Sequence, residues 1–206
     1  MRTKLRLVLG AVLVTALGVS AGTVALFSAA TANQDNTITA GTLAINSWRD
    51  QGDTIPGPMF YTTPAEGQTP GGTNGLLPTG LWAPGDTHHR VLMVRNEGSL
   101  DAWLVSVGAD LHSGSMHLAN KLQYKVTTDA AGLVVIASGT LGSLIGTDVA
   151  FPSKIALNAP AIPIPSRPPK PFHFWVTLPL DADNSYQGET VRVNFFINAE
   201  QKKNNP

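Results

Sequence analysis

Two stretches of this chain alternate between apolar and polar residues with a period of two. Phe172, Phe174, Val176, Leu178 and Leu180 alternate with His173, Trp175, Thr177 and Pro179. Val191, Val193, Phe195, Ile197 and Ala199 alternate with Arg192, Asn194, Phe196 and Asn198. A helix would scatter these apolar residues around its axis, whereas an extended strand places them all on one face. Both stretches are therefore expected as half-buried strands, with Asp181–Gly188 joining them as a hairpin-like loop. A sheet with one apolar face must bury it against a second layer.

The remainder of the chain supplies that layer from short pieces. Pro84-Gly85-Asp86 reads as a tight turn. His89 to Arg95 follows, with apolar residues on both faces, as in a central strand. Asn96-Glu97-Gly98-Ser99 is a second turn, and Ala102–Ala109 the next strand. Lys121–Thr127 alternates cleanly, Asp129-Ala130-Ala131-Gly132 turns, and Leu133–Ala137 completes a hairpin as a short apolar strand. Gly139–Ile145 reads as a short helix or a loop. In Asn33–Asn46, Ile38, Ala40, Leu43 and Ile45 slip by one step at Gly41, as a bulge between two short strands requires. Residues 50–80 and the proline-rich 159–171 read as extended loops, the first pinned by Phe60 and Tyr61, the second barred from a central strand because proline lacks the ladder donor. The fold class is all-β, a two-sheet sandwich. Composition does not choose between jelly-roll and immunoglobulin-like topology.

Residues 1–26 carry a basic start (Arg2, Lys4, Arg6) and an apolar run with small residues after it, the pattern of a secretory signal peptide. Residues 27–206 are then a single β-sandwich domain. Lys and Arg total 14 against 14 Asp and Glu, so no basic excess exists to hold a nucleic acid. Cysteine is absent, which removes disulfides, thiolate metal sites and thiol catalysis. The fold must rest on its core and its ladders.

Candidate chemistry is sparse. His88 and His89 are adjacent on a strand and point to opposite faces. His112 and His117 lie five apart, a spacing that no regular element turns into one face, and H-E-x-x-H is missing. Asp181, Asp183, Asn184 and Glu189 resemble a calcium loop without its central glycine, and a polar turn is the better reading. Trp48, Trp82, Trp103 and Trp175 fall on different predicted elements, which favours packing over sugar stacking. No catalytic residue, metal ligand or cofactor is expected.

Four pieces in order resemble the TasA/camelysin family of secreted bacterial biofilm-matrix proteins. They are the export segment; Thr37-Ile38-Thr39-Ala40-Gly41-Thr42-Leu43; Pro84-Gly85-Asp86 followed by a strand and Asn96, Gly98 and Asp101; and Asn184-Ser185-Tyr186-Gln187-Gly188 before a last strand. The resemblance implies a jelly-roll-like sandwich, secreted to the extracellular matrix or cell surface as a fibre subunit. The segment Phe27–Asn46, freed by signal peptidase, is then an arm that donates a strand to a neighbour, with Phe27, Ile38, Leu43 and Ile45 as its apolar contacts. The partner is another copy of the chain, in a homopolymer. No nucleic acid is expected, and membrane contact only through an uncleaved signal segment. Alternative readings are a camelysin-type metallo-endopeptidase, which the family label implies but no zinc motif supports, and an envelope adhesion module that does not polymerise.

Overall fold

Strand-forming residues gather around two apolar faces that meet in one core. The computed structural model describes residues 41–49, 58–67, 78–158 and 168–202, all within one compact unit, Ala40–Pro206. Among the described residues there are eight strands: β1 (Ile45–Arg49), β2 (Thr87–Asn96), β3 (Ala102–Gly114), β4 (Gln123–Thr127), β5 (Val135–Thr140), β6 (Asp148–Leu157), β7 (Lys170–Thr177) and β8 (Val191–Gln201). They form a five-stranded sheet in the order β1-β2-β7-β4-β5 and a three-stranded sheet in the order β6-β3-β8. Every strand pairing is antiparallel. The molecule is thus an all-β, two-sheet sandwich with long loops.

The core lies between the sheets. Phe172, Phe174, Val94, Val126 and Leu104 are fully or almost fully buried in it, with Tyr124 and Leu157 beside them. The inward set of β7 follows the alternation in the sequence as far as Leu178. Leu180 departs from it. The strand ends at Thr177, the chain turns away, and Leu180 is 81% exposed.

Several expectations need correction. The two alternating strands do not form a hairpin: β7 lies in the five-stranded sheet and β8 in the three-stranded one. A tight hairpin loop runs to about five residues. The stretch from Leu178 to Thr190 is longer and carries the chain from one layer to the other. Leu133 and Val134 belong to the turn after β4, and β5 starts only at Val135. The proline-rich loop ends earlier than expected, because Lys170 and Pro171 already lie in β7. Pro171 pairs with Met93 of β2, while β4 reaches only as far as His173, so β7 is locally an edge where its missing N–H falls. The pattern did not disclose β6. It contains Pro152, Ser153 and Lys154, and it is an edge strand, where proline and lysine are tolerated.

The described parts of the 50–80 loop are tied down. Tyr61 O accepts bonds from Thr79 N (2.8 Å) and Thr79 Oγ1 (3.0 Å). Phe60 meets Trp82 and Phe195 edge-on. Pro64–Gly67 adds one helical turn, and Leu141–Leu144 is a second one, in the stretch read as helix or loop.

Candidate assembly site

The turn between β2 and β3 is a seat for the segment that precedes β1. Glu97 N (2.8 Å) and Gly98 N (3.2 Å) donate to Ala44 O, and Ser99 N (2.9 Å) and Leu100 N (3.0 Å) donate to Thr42 O. Thr42 N donates in return to Ser99 Oγ at 2.9 Å. Asn96 fixes the turn from below. It is 2% exposed, its Oδ1 accepts from Gly98 N, and its Nδ2 donates to Leu100 O and Leu157 O. A Cβ on Gly98 would lie 2.3 Å from Thr42 O, so only glycine lets the arm approach so closely. Asp101 closes the turn: its carbonyl accepts from Lys202 N, joining it to the end of β8.

This seat holds residues 42–44 in their own subunit, and Ile45–Arg49 continue as β1 on β2. Ile45 packs against the core, whereas Leu43 is 40% exposed. Phe27 and Ile38 lie outside the described residues, as does the signal segment. Among the described residues no helix is long and apolar enough to cross a membrane.

The other two motif turns serve the opposite end of the five-stranded sheet and the start of β8. Gly85 takes φ +96°, Asp86 accepts from Ala83 N at 2.7 Å, and Gly85 N donates to Leu178 O, tying Pro84-Gly85-Asp86 to the end of β7. Asn184, Ser185 and Tyr186 form a single 3-10 turn capped by Asp183. Gln187 Nε2 bonds back to Asn184 Oδ1, and Gly188 turns the chain at φ +75°. Tyr186 stacks on His117, and Glu189 bonds both His117 and Ser115. Burial alone would raise the Glu189 carboxyl, but the His117 and Ser115 bonds outweigh it and hold it below its ordinary value. Lys121 holds Asp181 down in the same way, and the Ser185 bonds hold Asp183 down. These carboxylates point at separate partners rather than at a common centre. Among the described residues no three metal-ligating side chains converge.

The histidines are distributed unevenly. His88 points inward against Trp82, and burial pushes its imidazole down. His89 points outward, stacks on Trp175 and shares a 2.9 Å hydrogen bond with His173. Sequence spacing did not disclose this pair, because it depends on the β2–β7 register, which sets His89 opposite Trp175. Among the described residues the four tryptophans sit in four separate contacts, with Arg95, Phe60 and His88, Lys202, and His89 and Lys125.

The strand β8 lies at the edge of the three-stranded sheet. Among the described residues it pairs with β3 alone, along 11 residues. Val193, Phe195 and Ile197 face the core, yet each is only half-buried. A period of two in sequence reports which face a residue takes, but not whether its strand has one neighbour or two.

Comparison with protein-family models found no match, and comparison with curated proteins found none. The likeness to the TasA/camelysin family rests on the four motif pieces.

Proposed function

We propose that the chain is an exported structural protein, a subunit of extracellular biofilm-matrix fibres built by strand donation. The observation that carries this reading is the flank of β8, which has no partner strand among the described residues and lies beside half-buried core side chains. A jelly roll is an eight-stranded antiparallel ribbon wrapped on itself, in which the first strand pairs with the eighth, the second with the seventh, the third with the sixth and the fourth with the fifth. Here β2 pairs with β7, β3 with β6 and β4 with β5, while β1 lies on β2. This pairing supports a jelly roll whose place beside β8 is filled from elsewhere. Residues ahead of Gly41 are the donor in this reading, since residues 42–49 are already engaged in their own subunit. A donated strand gains main-chain hydrogen bonds and inserts its apolar residues between the sheets. Passed from subunit to subunit, such a contact does not close, and a filament results.

The test is electron microscopy and sedimentation of the processed protein beside its Ile38→Pro variant. Proline removes one ladder donor and fixes φ. Donation predicts fibres from the parent and, from the variant, a folded monomer that melts where the unassembled parent does. Fibres from both would remove the donor role from this segment, and a variant that melts far below the unassembled parent would make it the subunit's own strand.

A further inference from the structure

We propose that the β5 edge is a second self-association surface, through which two copies pair side by side, β5 against β5 in antiparallel register. The sandwich has four sheet edges among its described residues, and two of them carry a blunting feature. The β6 edge carries Pro152 and Lys154, the latter bonded to Glu200. The β1 edge ends in Arg49, an inward-pointing charge bonded to Pro58 O. The β8 edge, the acceptor in the fibre reading above, bears Arg192 and Glu200 only near its ends and leaves Val193 to Ala199 uncharged. The β5 edge has none of these features. From Leu133 to Thr140 the sequence is Leu-Val-Val-Ile-Ala-Ser-Gly-Thr, without a charge or a proline. Among the described residues β5 pairs with β4 alone. An unprotected, uncharged, β-forming edge is a template for another strand.

The apolar exposure here is built in. Leu133 is 80% exposed, Val134 56% and Val135 42%. The Asp129 carboxylate accepts from Leu133 N at 3.0 Å and from Val134 N at 2.6 Å, and these bonds hold its pKa down. Gly132, at φ +72°, packs over Trp175. The turn is thus fixed with its apolar residues facing outward. A second copy suits this edge because a stretch without charge meets no repulsion from its own image, and an antiparallel pair of identical strands satisfies both ladders about a two-fold axis. A single edge of this length falls well short of the roughly 1,200 Å² that a stable interface buries. One contact is therefore transient. Its biological setting rests on the fibre reading above: repeated along two fibres, many such contacts act together and bundle them.

Because the chain has no cysteine, single replacements report cleanly. Val134→Cys, Val135→Cys and Ser138→Cys are compared with Ser153→Cys on the β6 edge, in the full processed chain under mild oxidation. The proposal expects a disulfide-linked dimer from the β5 position nearest the two-fold axis and only background from Ser153→Cys. Val135→Lys, added to that variant, should abolish the cross-link and turn bundles into single fibres without moving the melting temperature. Cross-linking at β5 no stronger than at Ser153→Cys overturns the proposal. So does a large fall in melting temperature with Val135→Lys, which would mean that the edge is covered within the subunit. Cross-links without fibres would sink the fibre reading and leave this pairing standing, and single fibres without β5 cross-links would do the reverse.

Discussion

Asn96 and Gly98 show how two residues can fix the course of a whole segment. Removing the Asn96 side chain takes away its bonds to Leu100 O, Leu157 O and Gly98 N, two of which are buried. Asn96→Ala should therefore cost about 2–3 kcal/mol. Gly98→Ala puts a methyl against Thr42 O and should cost about 1–3 kcal/mol by displacing residues 42–44. Urea unfolding measures both, and midpoints equal to the parent's would mean that the turn is not a seat. His88 gives a pH signature. Burial, and then Arg90 beside it, keep its folded pKa below the ordinary 6.5, while Asp86 pulls the other way. The unfolded chain therefore takes up a proton first. This contribution to stability is complete above pH 6.5 and is lost as pH falls toward the folded value. Asp129, Asp183 and Glu189 are also held low, so their contributions fade only as pH falls below their ordinary values of 3.8 to 4.5. Asp183 is exposed and the other two are surface groups in partial contact with solvent, so all three add little. Melting temperature against pH should show the upper decline in the parent and not in His88→Gln, with the acid decline kept in both. An unchanged upper decline in His88→Gln would assign it to another group.

At the scale of the element, β7 and β8 differ although their sequence patterns match. Phe174 is fully buried, and Phe174→Ala should cost about 3–5 kcal/mol. Phe195 packs on Phe174 and Phe60 but is less completely buried, so Phe195→Ala should cost less in the monomer. Asn194→Ala, on the exposed side, should stay within about 0.5 kcal/mol. Equal losses for the two phenylalanines would show that β8 is as enclosed as β7. The sequence disclosed the faces of these strands because periodicity is local. It did not disclose their neighbours, because sheet partition depends on the long connection through Asp181–Gly188, which carries no signal of the layer it enters. β6 was hidden for a related reason: an edge strand needs only half its ladder, so Pro152 and Lys154 can interrupt the pattern that marks an interior strand. The motif turns were legible as turns, but their service as seats for the arm and for the ends of β7 and β8 required the fold.

At the scale of the whole molecule, the sandwich presents two kinds of edge. The β6 edge is blunted by proline and lysine, whereas β8 offers a long ladder above an incompletely covered core. A domain without disulfides relies on that core and its ladders, so a strand taken from a neighbour would stabilise the recipient as well as link it. Processed protein in fibres should therefore melt above the same protein held as monomer by Ile38→Pro. The most direct measurement mixes two single-cysteine variants of the processed chain, Ile38→Cys in one and Asn194→Cys on β8 in the other, with neighbouring arm positions Thr37 and Thr39 tested alongside. A disulfide between the two species can form only when the arm of one copy lies against β8 of another. Strand donation predicts the mixed dimer, enriched in fibres. Contradiction would come from the absence of the mixed dimer, together with a monomeric internal disulfide in the chain that carries both cysteines, because the arm would then fill its own sandwich.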